Sequence, residues 1–112
     1  MFESRRHIQD VNAGYSAEAQ AQFKAQHDQI AQAVADLMQV GASVQAEEVQ
    51  ALIARHYEFI KQFWTPSRLA YKSLALTYVL DDSFKATYES FAPGLASYIK
   101  RAIDIWADQN LD

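Results

Sequence analysis

The residues of this chain that could carry acid–base or metal chemistry are few and poorly spaced for it. His7, His27 and His56 lie 20 and 29 positions apart, without the short spacings that bring imidazoles onto one metal ion. Cysteine is absent, which excludes disulfides, thiolate ligands and thiol nucleophiles. Asp81 and Asp82 are adjacent carboxylates, yet neighbouring helical positions point in different directions. Both have a simpler use: Asp81 caps a helix that opens at Asp82, and the second acid suits the positive end of that helix. Asp104 and Asp108, one turn apart near the C-terminus, read as solvated surface. No H-E-x-x-H, G-x-S-x-G or glycine-rich phosphate loop occurs, and a lone helical histidine such as His56 is too little for a haem ligand. The expectation is a chain with no catalytic residue, no metal and no cofactor.

What remains is non-covalent chemistry, and its material is aromatic. Six Tyr, six Phe and two Trp are present, many of them between Tyr57 and Tyr98. Rings of this kind can fill a small core, each removing ~150 to 250 Å² from water. Alternatively, Tyr and Trp, with apolar bodies and polar tips, can line a cleft for flat, peptide-like ligands. His56 shares the ambiguity, as a hydrogen-bonded core histidine or as a donor in a pocket wall.

Helices must position these rings. The first is expected after Ser16 and to about Val40, ended by Gly41, with Phe23, Ile30, Val34 and Leu37 on one stripe. Alanine and glutamine fill its N-terminal half and bury little area. That half, and an arm of residues 1–15 before it, are therefore expected to be mobile or to pack against a partner. A second helix is expected from about Ala46 to Trp64, where Val49, Leu52, Ile53, His56, Ile60 and Phe63 share an arc and Thr65-Pro66 cannot continue it. Ser67 caps a third, Arg68 to Leu80. Its apolar residues fall on two opposite sides, Tyr71, Leu74, Ala75 and Tyr78 against Leu69, Leu76 and Leu80, so it is expected to lie centrally between layers. A short helix from Asp82 to about Phe91 and a long one launched by Pro93, to about Asp108, complete an all-α fold of about five antiparallel helices.

Composition narrows the class. A chain of 112 residues, 50% hydrophobic and 21% charged, makes one domain, 16–112, with one core. A net charge of −4 argues against a nucleic-acid surface; the basic doublets Arg5-Arg6 and Lys100-Arg101 read as ordinary surface. No apolar run approaches the ~18 residues of a membrane span, and M-F-E-S-R-R lacks a signal-peptide core. The expected location is cytoplasmic.

Arg55-His56 with Ile60 and Phe63, then Tyr78-Val79 with Asp82, Phe84 and Tyr88, then Pro93-Gly94-Leu95 and Ala102-Ile103 together resemble the TipAS antibiotic-recognition family, the effector-binding domain of TipA-like regulators of the MerR class. Tyr15-Ser16 and Gly41 fall where that family's first covered helix begins and ends, so the likeness spans roughly residues 4 to 108. The resemblance implies a compact globin-like helical domain around a ligand cleft, and thiopeptides or similar hydrophobic drugs as ligands. Some relatives capture dehydroalanine-bearing thiopeptides through a cysteine; without one, this chain is expected to bind reversibly. Family regulators carry a helix-turn-helix and a coiled coil ahead of the domain. This chain shows neither, and is expected to be either a stand-alone sequestering protein or the sensor part of a regulator.

The expected function is thus non-covalent binding of hydrophobic peptide-like antibiotics, without catalysis and without direct contact to nucleic acid or membrane. The expected cleft walls are His56, Tyr57, Phe63 and Trp64 of the second helix, Tyr71 and Tyr78 of the third, and Phe84 and Tyr88 of the fourth. The alternative is a helical interaction module that docks another protein or forms a homodimer, with no small-molecule ligand.

Overall fold

The computed structural model describes residues 15–112, which form five helices and no strand. They are α1 (Ala17–Gln39), α2 (Glu47–Ile60), α3 (Arg68–Leu80), α4 (Asp82–Glu89) and α5 (Leu95–Asn110). The expected mobile arm lies, apart from Tyr15, outside the described residues.

Capping chemistry sets most boundaries. Ser16 Oγ accepts from the Ala19 N–H at 3.0 Å and Ser67 Oγ from Ala70 at 3.2 Å, each satisfying a donor that the first helical turn leaves free. Asp81 Oδ1 accepts from the Ser83 and Phe84 N–H groups at 2.9 and 3.1 Å, so a single extended residue ends α3 and starts α4 in a new direction. α1 stops because Gly41 takes φ +85°. That left-handed turn lets the N–H groups of Gly41 and Ala42 reach back to the Met38 and Leu37 carbonyls, both at 3.0 Å.

Two boundaries differ from expectation. α2 ends at Ile60, not at Trp64: the Phe63 N–H bonds Ile60 at 2.9 Å in a tighter turn, and the Tyr57 hydroxyl donates to the Pro66 carbonyl at 2.6 Å, folding the connection back onto α2. Phe63 and Trp64 therefore sit on a turn. Pro93 does not launch the last helix either. Gly94, at φ +91°, is the N-cap of α5 and has no side chain to offer. The cap is supplied from α4, where the Glu89 carboxylate accepts from Gly94 at 3.0 and 3.1 Å and from Ala96 at 3.1 Å. These backbone donors, those of Gly94 foremost, hold the Glu89 carboxyl below the ordinary carboxylate range.

The central helix is α5, which touches each of the other four. It buries Leu95, Ala96, Tyr98, Ile99, Ala102, Ile103 and Ala107, and its alanines let neighbouring helices approach. Each fully buried Leu or Ile contributes about 1.5–3 kcal/mol of transfer free energy. The expectation that α3 is central fails. Only its Tyr71, Ala75 and Tyr78 side is buried, while Leu69, Leu76 and Leu80 on the opposite side are 76%, 45% and 70% exposed. α1 buries Ile30, Ala31, Val34 and Ala35, all in its second half. Its first half is tied on by rings: Phe23 packs edge-on to Phe63 at 4.9 Å and to Tyr15 at 4.9 Å.

Candidate ligand cleft

The kink at Asp81 folds α4 across the end of α3, which brings Phe84 to 5.6 Å and Tyr88 to 4.7 Å from the Tyr78 ring. Between this pair of helices, the last turns of α2 and the middle of α1 lies a cleft of about 310 Å³. Its lining is His27, Phe59, Ile60, Trp64, Leu74, Tyr78, Phe84, Thr87 and Tyr88. None of these side chains carries a fixed charge. Tyr78 and Tyr88 form the floor, 4% and 2% exposed, whereas Trp64 and Phe84 stand at the rim, 48% and 44% exposed. Such an arrangement can stack flat rings against its walls and meet a ligand's polar atoms at its base.

Two hydrogen-bonded groups of rings lie beneath that base. His27 Nε2 is 2.8 Å from the Tyr88 hydroxyl, the Tyr88 ring packs on Tyr78 at 4.7 Å, and Tyr78 Oη is 3.5 Å from His56 Nε2. His56 Nδ1 is 2.7 Å from the Tyr71 hydroxyl. Burial drives His56 down to about 3, with His27 adding to the effect, so the imidazole stays neutral. Burial also raises the tyrosines: Tyr78 to about 12, and Tyr71 and Tyr88 well above the ordinary phenol value. The core thus holds four polar rings, His56, Tyr71, Tyr78 and Tyr88, that are uncharged near neutrality, without leaving the two nitrogens of His56 unpartnered.

The eight residues expected in the walls divide by location. Trp64, Tyr78, Phe84 and Tyr88 line the cleft. His56, Tyr57 and Tyr71 do not. They lie behind it, 3%, 7% and 0% exposed, with Tyr57 and Tyr71 packed on Trp106 at 5.0 and 5.9 Å. Phe63 belongs to a separate surface cluster with Phe23, Phe59 and Tyr15. Sequence reasoning missed His27, Phe59, Ile60, Leu74 and Thr87. His27 was recoverable: it falls between Phe23 and Ile30 at spacings of four and three, on the same stripe of α1.

A larger groove of about 380 Å³ runs on the other side of Phe59, between α1 and α2. Gln26, Gln29, Arg55, Glu58 and Gln62 make most of its wall, and Gln62 already donates to Gln26 at 3.1 Å across it. Its amides and charges are well served by water, so it offers a hydrophobic ligand less than the smaller aromatic cleft does. Among the described residues no group of three His, Asp or Glu is placed to hold a metal ion, and no helix is long and apolar enough to cross a membrane. Asp104 and Asp108 pair with Lys100 and Lys72 at 2.6 and 3.0 Å, surface contacts of small energetic weight.

Comparison with known proteins bears on this site. The model of the TipAS antibiotic-recognition domain matches residues 3–106. The HTH-type transcriptional regulator SkgA of Caulobacter vibrioides, found in two strains of that bacterium, is 29% identical over 110 residues. The match covers 94% of this chain and 43% of the regulator, so the chain spans less than half the length of the curated relatives it matches. Among solved structures, TipAS of Streptomyces lividans in complex with nosiheptide, from a thiopeptide antibiotic multidrug resistance system, superposes with a TM-score of 0.82 at 22% identity. That likeness covers 93% of this chain and 73% of the other. It shows the fold, an all-helical, globin-like domain.

Proposed function

The chain belongs to the TipAS antibiotic-recognition domain family, and from that premise we propose that the cleft over Tyr78 and Tyr88 binds hydrophobic, peptide-like antibiotics of the thiopeptide class without chemical change. The observation that carries this reading is the cleft itself: an aromatic hollow of about 310 Å³ with no fixed charge in its lining. Trp64 and Phe84 supply stacking faces at the rim, and the floor supplies hydrogen-bonding oxygens. A hollow of this size lies at the low end of ligand pockets, so it seats a section of a macrocyclic ligand rather than the whole. The absence of cysteine makes the binding non-covalent. The likeness to a transcription regulator supports a role as the sensor part of such a protein, with sequestration of free drug as the simpler use of the same site.

Calorimetric titration with nosiheptide tests this. Saturable binding with a negative heat-capacity change is expected, because apolar surface leaves water, and Phe84→Ala weakens it. No heat and no thermal shift at a saturating concentration would reject the reading.

One observation favours a second reading, the exposed stripe of Leu69, Leu76 and Leu80 on α3. It supports self-association into a homodimer through that face. Sedimentation coefficients that rise with protein concentration in the absence of ligand would favour it, and a constant monomer value would remove it.

A further inference from the structure

The polar floor of the cleft has a direction, and the direction is set from outside the cleft. Asp28 can only accept when ionised, and it is held ionised: the Lys24 ammonium, 2.6 Å from Oδ2, keeps its carboxyl below the ordinary range. The other oxygen, Oδ1, lies 3.4 Å from His27 Nδ1. An ionised neighbour there favours the tautomer with its proton on Nδ1, which leaves Nε2 as an acceptor. The group 2.8 Å from Nε2 is the Tyr88 hydroxyl, which must then donate to it. With its proton spent, Tyr88 can only accept. Tyr78, the other floor hydroxyl, lies 3.5 Å from Nε2 of neutral His56, whose Nδ1 is 2.7 Å from the Tyr71 hydroxyl. One donor direction therefore runs from the Tyr88 hydroxyl through His27 to the surface carboxylate. Thr87, the remaining hydroxyl in the lining, donates to the Ser83 carbonyl at 3.0 Å.

The Tyr88 and Thr87 protons are committed away from the hollow, so what these two hydroxyls show a guest is oxygen lone pairs. The Trp64 indole N–H, on a half-exposed rim residue, is a donor in the lining. We propose that Asp28 and His27 act as positioning residues that make Tyr88 an acceptor at the cleft floor, so that the cleft selects flat uncharged ligands carrying an N–H or O–H donor and discriminates against equally flat ligands carrying only acceptors. This rests on the reading of the cleft as a ligand site and adds the rule by which it chooses. Neither residue needs to touch the ligand: His27 takes the Tyr88 proton, and Asp28 fixes which nitrogen of His27 is free to do so.

Two measurements on the full chain test it. Nitrogen-15 imidazole spectra of the free protein at mildly alkaline pH report the tautomer of His27 directly; Nδ1–H is expected in the parent, and a mixture in Asp28→Leu. The second is a matched ligand pair, carbazole and dibenzofuran, three fused rings of one shape with an N–H in the first and an ether oxygen in the second. Carbazole is expected to bind the parent protein at least about fivefold more tightly, the value of one net hydrogen bond. That preference is expected to fall toward unity in Asp28→Leu and in His27→Phe, where Tyr88 regains a proton it can offer. An Nε2–H tautomer for His27, or a preference that survives both substitutions, would overturn the inference alone. Binding of neither ring system would overturn its ligand rule together with the reading of the cleft.

Discussion

The same residue types build two unlike regions on either side of His56. Behind it, Tyr57, Tyr71 and Trp106 interlock with ring centroids 4.9 to 5.9 Å apart, and α5 closes the space with alanines and isoleucines. In front of it, Tyr78, Tyr88 and Phe84 lie as close, at 4.7 and 5.6 Å, yet border a hollow of about 310 Å³. Ring density is therefore no guide to whether aromatics fill a space or surround it. What differs is the backing. The rear cluster is closed by a long helix that runs past it, whereas the front cluster is built largely on an eight-residue helix, α4, and bordered by a turn after α2, neither long enough to cover it.

If that division is real, substitutions should separate stability from binding, and the largest effect lies at the rear. Tyr71→Ala removes a fully buried ring and the partner of His56 Nδ1, with an expected loss of about 3–5 kcal/mol in denaturant unfolding. Next comes the acid limb of stability. His56 is neutral in the fold down to about 3 but takes a proton near its ordinary value of 6.5 once unfolded. The unfolded state therefore binds the extra proton between these values. Stability is full above about pH 6.5 and falls as pH drops toward 3, by up to about 1.4 kcal/mol per pH unit. His56→Gln should flatten that slope, and denaturation midpoints taken across the range would reveal it.

Glu89→Ala is smaller. It frees the N–H groups of Gly94 and Ala96, and the expected cost is about 1–2 kcal/mol, the usual worth of a lost helix cap. The smallest stability effect belongs to the front. Phe84→Ala, on a rim residue 44% exposed, should change unfolding free energy by less than about 1 kcal/mol while weakening thiopeptide binding at least about tenfold. A rim substitution that destabilised as much as Tyr71→Ala would erase the distinction between the two regions.

Much of this scaffold was legible before any coordinates. Ser16, Gly41, Ser67 and Asp81 act where their chemistry said they would, because a cap needs only residues within one turn. The failures share a physical cause. Where α2 ends depends on a Tyr57–Pro66 bond nine positions apart, and where α5 starts depends on Glu89, a carboxylate from the preceding helix. α3 was expected between layers because leucines occupy both its sides, but hydrophobicity alone does not supply a second layer to cover them. In the cleft, periodicity puts Tyr71 and Tyr78 on one side of α3, and that side is buried. It could not reveal that the kink at Asp81 makes Tyr78 the boundary between packed and open. Metal-ligand spacing carries no information about His27; its place on the stripe of α1, four after Phe23 and three before Ile30, does.

The two tryptophans fall one in each region, which makes them reporters of the central claim. In Trp106→Phe the remaining indole is Trp64 at the cleft rim, and titration with nosiheptide should quench its fluorescence saturably. Fluorescence that stays unchanged while calorimetry records binding would place the ligand elsewhere and contradict the assignment of the cleft.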